Sequence, residues 1–247
     1  MEGGSEGNST LSPTDPNTNT ANNGQTNQAT QENNASVSGA VRGSAAYLVG
    51  GDVKSSSNIG GNDLNSIVLN GKTIPVGLQV STVHVGEMTS LSNSIFFGQA
   101  YRNFITSGEN YRYSKFGLVE AGNDDVAFSH GYPTSNMPAT GIMTYQGSAA
   151  LGAQRDGGLI TATGSSSAKA DFSSKAVHVD ITTDKSDTNY IAKVGSGISF
   201  DVTISGNTFS GNGTVSHGGF YGDNAPEIGG TFYNDEHNFS GAFGGHK

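Results

Sequence analysis

The side chains best suited to proton transfer or ligation near neutrality are six histidines: His84, His130, His178, His217, His237 and His246. The chain holds no Cys, which excludes thiolate zinc sites, iron–sulfur clusters, disulfides and a cysteine nucleophile. Metal chemistry would have to use His or carboxylate. Ser129-His130 and Ser216-His217 are neighbours in sequence, but adjacent strand residues point to opposite faces, so adjacency builds no nucleophile–base pair. Gly71-Lys72-Thr73 has the last letters of a phosphate loop, yet Ser66 stands where the pattern needs Gly and Ile67-Val68-Leu69 is strand-like; Asn70-Gly71 reads as a hairpin turn. Asn123-Asp124-Asp125 reads as a solvated turn, and no calcium loop of alternating acids is present. No enzyme is legible in these residues, and none is expected.

Two histidines have surroundings that suit a ligand. Val83-His84-Val85 lies near Met88, and Phe128-Ser129-His130 lies near Tyr132. A haem pocket sets an imidazole against apolar walls, and Phe96, Phe97, Tyr101 and Phe104 could supply them, with His84 or His130 as axial ligand. The same aromatics equally suit a core or a protein-binding patch. Tyr101, Arg102, Phe104, Tyr111, Arg112 and Tyr113 bring together the Tyr and Arg favoured at the energetic centres of interfaces, and form the candidate ligand surface. The alternative for these six is internal packing.

These residues need a scaffold, and its pattern is β. Val177-His178-Val179-Asp180-Ile181-Thr182 and Ile198-Ser199-Phe200-Asp201-Val202-Thr203-Ile204 alternate apolar and polar. Turn signals at Asn70-Gly71, Ser205-Gly206-Asn207 and Asn212-Gly213 separate such runs. Ser92 to Phe104 is the best helical candidate, since Ile95, Phe96, Ala100 and Phe104 fall near helical spacing. Residues 1–36 contain only Met1 and Leu11 as large apolar residues, too few to offset chain entropy, and read as a disordered tether. Gly131 to Pro138, with two prolines, marks a junction. The expectation is therefore all-β: a tether at 1–36, an N-terminal β-rich domain at 37–137 and an eight-stranded antiparallel barrel at 138–247. Expected barrel strands are Thr140 to Leu151, Ala168 to Phe172, Ala176 to Thr183, Tyr190 to Val194, Ile198 to Ser205, Thr208 to Val215, Glu227 to Tyr233 and Asn238 to Gly244.

Composition limits the partners. A net charge of -9, with 12 basic and 21 acidic residues, argues against nucleic acid, which requires a clustered basic surface. No apolar run approaches the roughly 20 residues of a membrane helix. The 37 glycines stand at about twice the usual ~7% and suit tight turns and a curved barrel.

Met137-Pro138-Ala139-Thr140-Gly141-Ile142-Met143-Thr144-Tyr145-Gln146-Gly147, Ala170-Asp171-Phe172-Ser173 and the closing Phe239-Ser240-Gly241-Ala242-Phe243-Gly244-Gly245-His246-Lys247 resemble the C-terminal barrel of transferrin-binding-protein-B-like proteins. That family includes factor H binding protein, the hemophilins and the nematode-colonisation lipoprotein NilC, and the resemblance covers about residues 132 to 247. It implies an N-terminal handle that selects the ligand and export by a Slam-type outer-membrane translocon. It also implies a lipid anchor at the cell surface, with the tether joining an acylated Cys to the folded body, so that Met1 would stand where a lipidated Cys is found. The function implied is host association or colonisation by binding a host ligand, with the NilC-like members nearest. A haem-binding, secreted hemophilin-like protein is the alternative.

Overall fold

Period-two alternation dominates the chain and makes sheets. The computed structural model describes residues 41–49, 52–56, 59–77, 88–155, 158–184, 196–211, 215–234 and 239–247, and these contain strands and no helix. The first part holds β1 (Arg42–Val49), β2 (Asp52–Ser56), β3 (Ser66–Leu69), β4 (Lys72–Pro75), β5 (Met88–Phe96), β6 (Gln99–Ser107), β7 (Ser114–Ala121) and β8 (Asp124–Gly131). Six of these form one antiparallel sheet in the order β2-β1-β8-β7-β6-β5, and β3 and β4 form a separate hairpin. Its turn is Asn70-Gly71, both at positive φ (52° and 78°), so Gly71-Lys72-Thr73 is a hairpin turn entering β4.

The second part holds β9 (Ile142–Arg155), β10 (Gly158–Asp171), β11 (Ala176–Thr183), β12 (Gly197–Ser205), β13 (Thr208–Gly211), β14 (Val215–Tyr221), β15 (Glu227–Asn234) and β16 (Phe239–His246). They run up and down around a closed barrel that β16 seals against β9, from Phe239↔Ala153 to His246↔Gln146. Closure removes the exposed edges that an open sheet would present. In β11, Val177, Val179 and Ile181 point inward while His178 and Asp180 point out. Phe200, Phe209, Phe220, Phe232 and Phe243 fill the interior as a chain of ring contacts at centroid distances such as 5.8 Å for Phe209–Phe220 and 6.3 Å for Phe209–Phe243. Each buried ring contributes roughly 2–3 kcal/mol. Asp171 accepts the backbone N–H groups of Ser173 (2.9 Å) and Ser174 (3.2 Å), which folds the chain so that Phe172 is buried in the same core.

Three elements differ from the sequence reading. Ser92 to Phe104 is a β-hairpin: Phe96 pairs with Gln99, and Phe97 and Gly98 make the two-residue turn at φ 51° and 74°. Apolar residues flanking a tight turn imitate helical spacing. The second strand of the barrel begins at Gly158, ten residues before the expected Ala168, because β9 and β10 pair without interruption from Gly158↔Arg155 to Asp171↔Ile142. Val215–Tyr221 is a strand of its own, where the sequence suggested one continuous strand from Thr208 to Val215. The expected strand Tyr190 to Val194 lies outside the described residues.

Both parts belong to one compact unit, Val37–Lys247. Alternation gives the six-stranded sheet two buried faces. Val119, Ala121, Val126 and Phe128 pack with Ile67 and Ile74 of the small hairpin. Phe116, Leu118 and Ala127 face the other way and pack on Ala150 and Ala242 of the barrel wall. The barrel must be nearly bare there. A Cβ on Gly244 would come within 2.1 Å of the Phe116 ring, and one on Gly152 within 2.7 Å of Leu118. Part of the glycine excess thus makes a docking bed, a role distinct from turns and curvature.

Candidate ligand-binding surface

The seam between sheet and barrel is polar at its rim. Glu227 on β15 is buried, and its carboxylate accepts the backbone N–H of Arg112 (2.7 Å), the N–H of Tyr113 (3.3 and 3.2 Å) and the hydroxyl of Ser114 (2.6 Å). Burial raises its pKa, and the hydrogen bonds from Ser114, Arg112 and Tyr113 pull it back. Farther along the seam the Ser44 hydroxyl donates to His217 O (2.9 Å) and lies 2.9 Å from the Thr231 hydroxyl. Because the groups facing Glu227 are donors, Glu227→Ala should leave them unpaired and cost about 2 kcal/mol in urea unfolding at pH 7. An unchanged unfolding midpoint would show that water replaces the carboxylate.

The six residues of the sequence-derived surface are distributed over three places. Tyr101 (2% exposed) and Phe104 (1%) lie in the core shared with the small hairpin, their rings 5.2 Å apart and edge-to-face. The Tyr101 hydroxyl donates to Pro75 O at 2.5 Å, and burial pushes its pKa up to about 12. Tyr111 is buried at the barrel seam, edge-on to Phe116 (4.8 Å) and His246 (5.4 Å). Arg112 is exposed, with its guanidinium 5.9 Å above the half-buried Tyr113 ring. Arg102 is exposed and bridges Asp125 (2.7 Å) and Glu120 (3.3 Å), which sit opposite each other on β8 and β7. The six therefore form no common surface, because a β-bulge between Tyr101 and Asn103 lets both Tyr101 and Phe104 turn inward and the barrel covers Tyr111.

The apolar surface that the sheet does expose is the tip of the β5–β6 hairpin. Ile95 is 75% and Phe97 67% exposed. Phe96 between them points inward and closes an aromatic cluster with Tyr101 (5.7 Å) and Phe104 (5.3 Å). Phe97 holds φ at 51°, a region where a bulky L-residue is an outlier. The sequence contained this signal: once Phe97-Gly98 is a two-residue turn, Ile95 cannot share a face with Phe96. Arg102, Glu120 and Asp125 stand at the same end of the sheet, a charged rim beside an apolar tip. Of the proposed haem walls, Phe96, Tyr101 and Phe104 are thus packing groups and Phe97 projects to solvent.

His130 is fully buried, with its ring 5.6 Å from Phe128 and edge-to-face, and its Nε2 3.1 Å from Leu64 O. Nε2 donates to that carbonyl, and Nδ1 has no hydrogen-bond partner among the described residues. The enclosed ring offers no open face to a macrocycle. His84 lies outside the described residues.

On the outer wall of the barrel, Asp201 Oδ1 meets His178 Nδ1 at 2.8 Å, and His178 Nε2 lies 3.3 Å from the Ser199 hydroxyl. The connectivity imitates an acid–base–nucleophile relay. Ser199, however, donates to Asp180 Oδ1 at 2.7 Å, and the cluster stands in solvent on two flat strands, with Asp201 83% exposed. It is a surface hydrogen-bond network that raises the His178 pKa, chiefly through the bond to Asp201. No group of three His, Asp or Glu among the described residues is arranged to hold a metal ion.

A sheet clamped on the outside of a closed eight-stranded barrel, with an apolar tip at its far end, defines a handle-and-barrel lobe. Residues 137–247 match the family model for the C-lobe and N-lobe beta barrels of Tf-binding protein B. That match covers the barrel, somewhat less than half of the chain, and the chain as a whole has the fold of a transferrin-binding-protein-B lobe. The isotype 1 transferrin binding protein B of serogroup B Neisseria meningitidis is similar over 85% of this chain and 43% of its own, with 20% identity and a TM-score of 0.61. A double mutant of the same protein from Haemophilus parasuis Hp5 gives 84%, 44%, 20% and 0.60. Intact Ap-TbpB, with N and C lobes, gives 84%, 46%, 20% and 0.59. The chain thus spans less than half the length of these solved proteins. A protein of Haemophilus influenzae (strain ATCC 51907 / DSM 11121 / KW20 / Rd), described as uncharacterized, is 27% identical over 230 residues, covering 87% of this chain and 78% of its own.

Proposed function

We propose that the protein is a non-enzymatic receptor on the bacterial surface that holds a host protein through the tip of its handle. Phe97 carries this reading. A bulky ring at positive φ costs on the order of 1–3 kcal/mol, and the ring, 67% exposed, recovers little of it by burial. Local strain combined with an exposed aromatic marks a residue kept for contact, and a central aromatic with a charged rim is the anatomy of an interface centre. Ile95 and Phe97 form that centre, and Arg102, held between Glu120 and Asp125, forms part of the rim.

The barrel serves as the rigid support of the handle, and the contact is one of holding. The proteins with this lobe fold are named for transferrin, so host transferrin is the first ligand to test. In the same reading residues 1–36 tether the lobe to a lipid anchor in the outer membrane, a Slam-type translocon exports it, and the captured ligand serves host colonisation.

The test is surface-based binding of purified host transferrin, followed by other host serum proteins, to the full chain and to Phe97→Asn. The variant should bind about tenfold more weakly or worse. Binding of another host protein, lost in the variant, would keep the tip and change the ligand. A host ligand held equally by both chains would remove the tip from the site.

A further inference from the structure

Away from the handle tip, a crevice of about 340 Å3 opens where β1 enters the seam over β13 and β14, within the usual size range of small-molecule sites. Its walls follow from alternation on three strands. On β1, Arg42 shares the barrel-facing side with Ser44, which is fixed to His217 O. On the barrel, Phe209 and Phe220 turn inward, so Thr208, Ser210, His217 and Gly219 turn outward into the crevice. Gly219 adds no side chain of its own, and the Tyr221 ring lies beside it.

The polar groups are of one electrostatic kind. None of the thirteen lining residues is Asp or Glu, although the chain carries a net charge of -9. The Arg42 guanidinium and the His217 imidazole line the crevice with no hydrogen-bond or ion-pair partner among the described residues. Arg102, at the other end of the sheet, is by contrast tied to two carboxylates. The Thr208 hydroxyl donates to Ser205 O and keeps its lone pairs for a donor, whereas the Ser210 hydroxyl has no partner among the described residues. A guanidinium, an imidazole and a free hydroxyl along one crevice match one oxyanion on a compact, hydroxyl-bearing body.

We propose that this crevice binds a small anionic ligand, a sugar acid or a phosphate ester of similar size, with its oxyanion on Arg42 and His217. The site is independent of the handle tip, so loss of either function leaves the other standing. The probes are glucuronate, its neutral counterpart glucose, and inorganic phosphate, titrated into the full-length protein while the His217 ring signals are followed by NMR. Glucuronate should shift them in a saturable way, glucose should not, and phosphate arm by arm shows whether the anion alone suffices. Arg42→Gln and His217→Gln, both outside the buried cores, should each weaken glucuronate binding by about tenfold or more, measured for parent and variants by isothermal titration calorimetry because His217→Gln carries no imidazole signal. The proposal is overturned if glucose and glucuronate act alike, if neither anion shifts His217, or if binding survives in both variants.

Discussion

Phe116→Ala should lower the stability of the folded unit by about 3–5 kcal/mol, the range for truncating a fully buried aromatic. The ring does two jobs at once. It packs edge-to-face on Tyr111 at 4.8 Å, and it rests on Gly244, where the barrel wall has no side chain. Neither wall can collapse into the vacated space, because one is a closed barrel and the other a sheet held from behind by the small hairpin. For a chain of this size the loss corresponds to roughly 10 °C in melting temperature. The converse change tests the same contact: Gly244→Ala places a methyl group in the ring and should destabilise the parent. In the Phe116→Ala background it should be tolerated. A double-mutant cycle by thermal unfolding reads this coupling directly. Additive effects would mean that handle and barrel do not meet through this pair.

The second large effect is a loss of stability in acid through His130. Burial lowers its pKa to about 4, against 6.5 for the exposed imidazole; the bond to Leu64 O and the charge of Asp63 oppose this shift, and Lys115 adds to it. The unfolded chain therefore takes up a proton between pH 6.5 and 4 that the folded chain refuses. Stability from this group is fully present above pH 6.5 and is lost as pH falls toward 4. At 1.36 kcal/mol per unit this amounts to about 3 kcal/mol. Glu227 and Asp125, whose pKa values are raised mainly by burial, act with the opposite sign near the ordinary carboxylate range. The measurement is accordingly a difference. Urea unfolding of the parent and of His130→Gln from pH 7 to pH 4 should show a gap that is widest at pH 7 and closes in acid. A gap independent of pH would mean that His130 becomes charged in the folded state.

Barrel strands with strict alternation, such as β11 and β12, are legible in the sequence because one face must be apolar. Gly158 to Ser167 is not legible in this way. It is rich in Gly, Ser and Thr and becomes strand because β9 lies opposite along its whole length, so pairing overrides propensity. Ser92 to Phe104 misleads for a different reason: its apolar residues belong to two strands joined at a turn that a Phe occupies against its conformational preference. For the candidate site, residue type alone selects Tyr101, Phe104 and Tyr111 as contact residues, and only tertiary packing shows that all three are enclosed. Gly244 and Gly152 read as curvature until the handle is seen lying on them. The partners of Glu227 lie more than a hundred positions away in sequence and leave no local trace.

The most direct test of the binding role is the variant Phe97→Asn, followed for stability and for ligand binding in the same preparation. Asn-Gly suits this turn, so relief of the backbone strain should raise stability by about 1 kcal/mol, while loss of the exposed ring should weaken host-protein binding by about tenfold or more. A variant that is less stable than the parent, or that binds the host protein as tightly, would contradict the assignment of Phe97 as a contact residue held in place at the expense of stability.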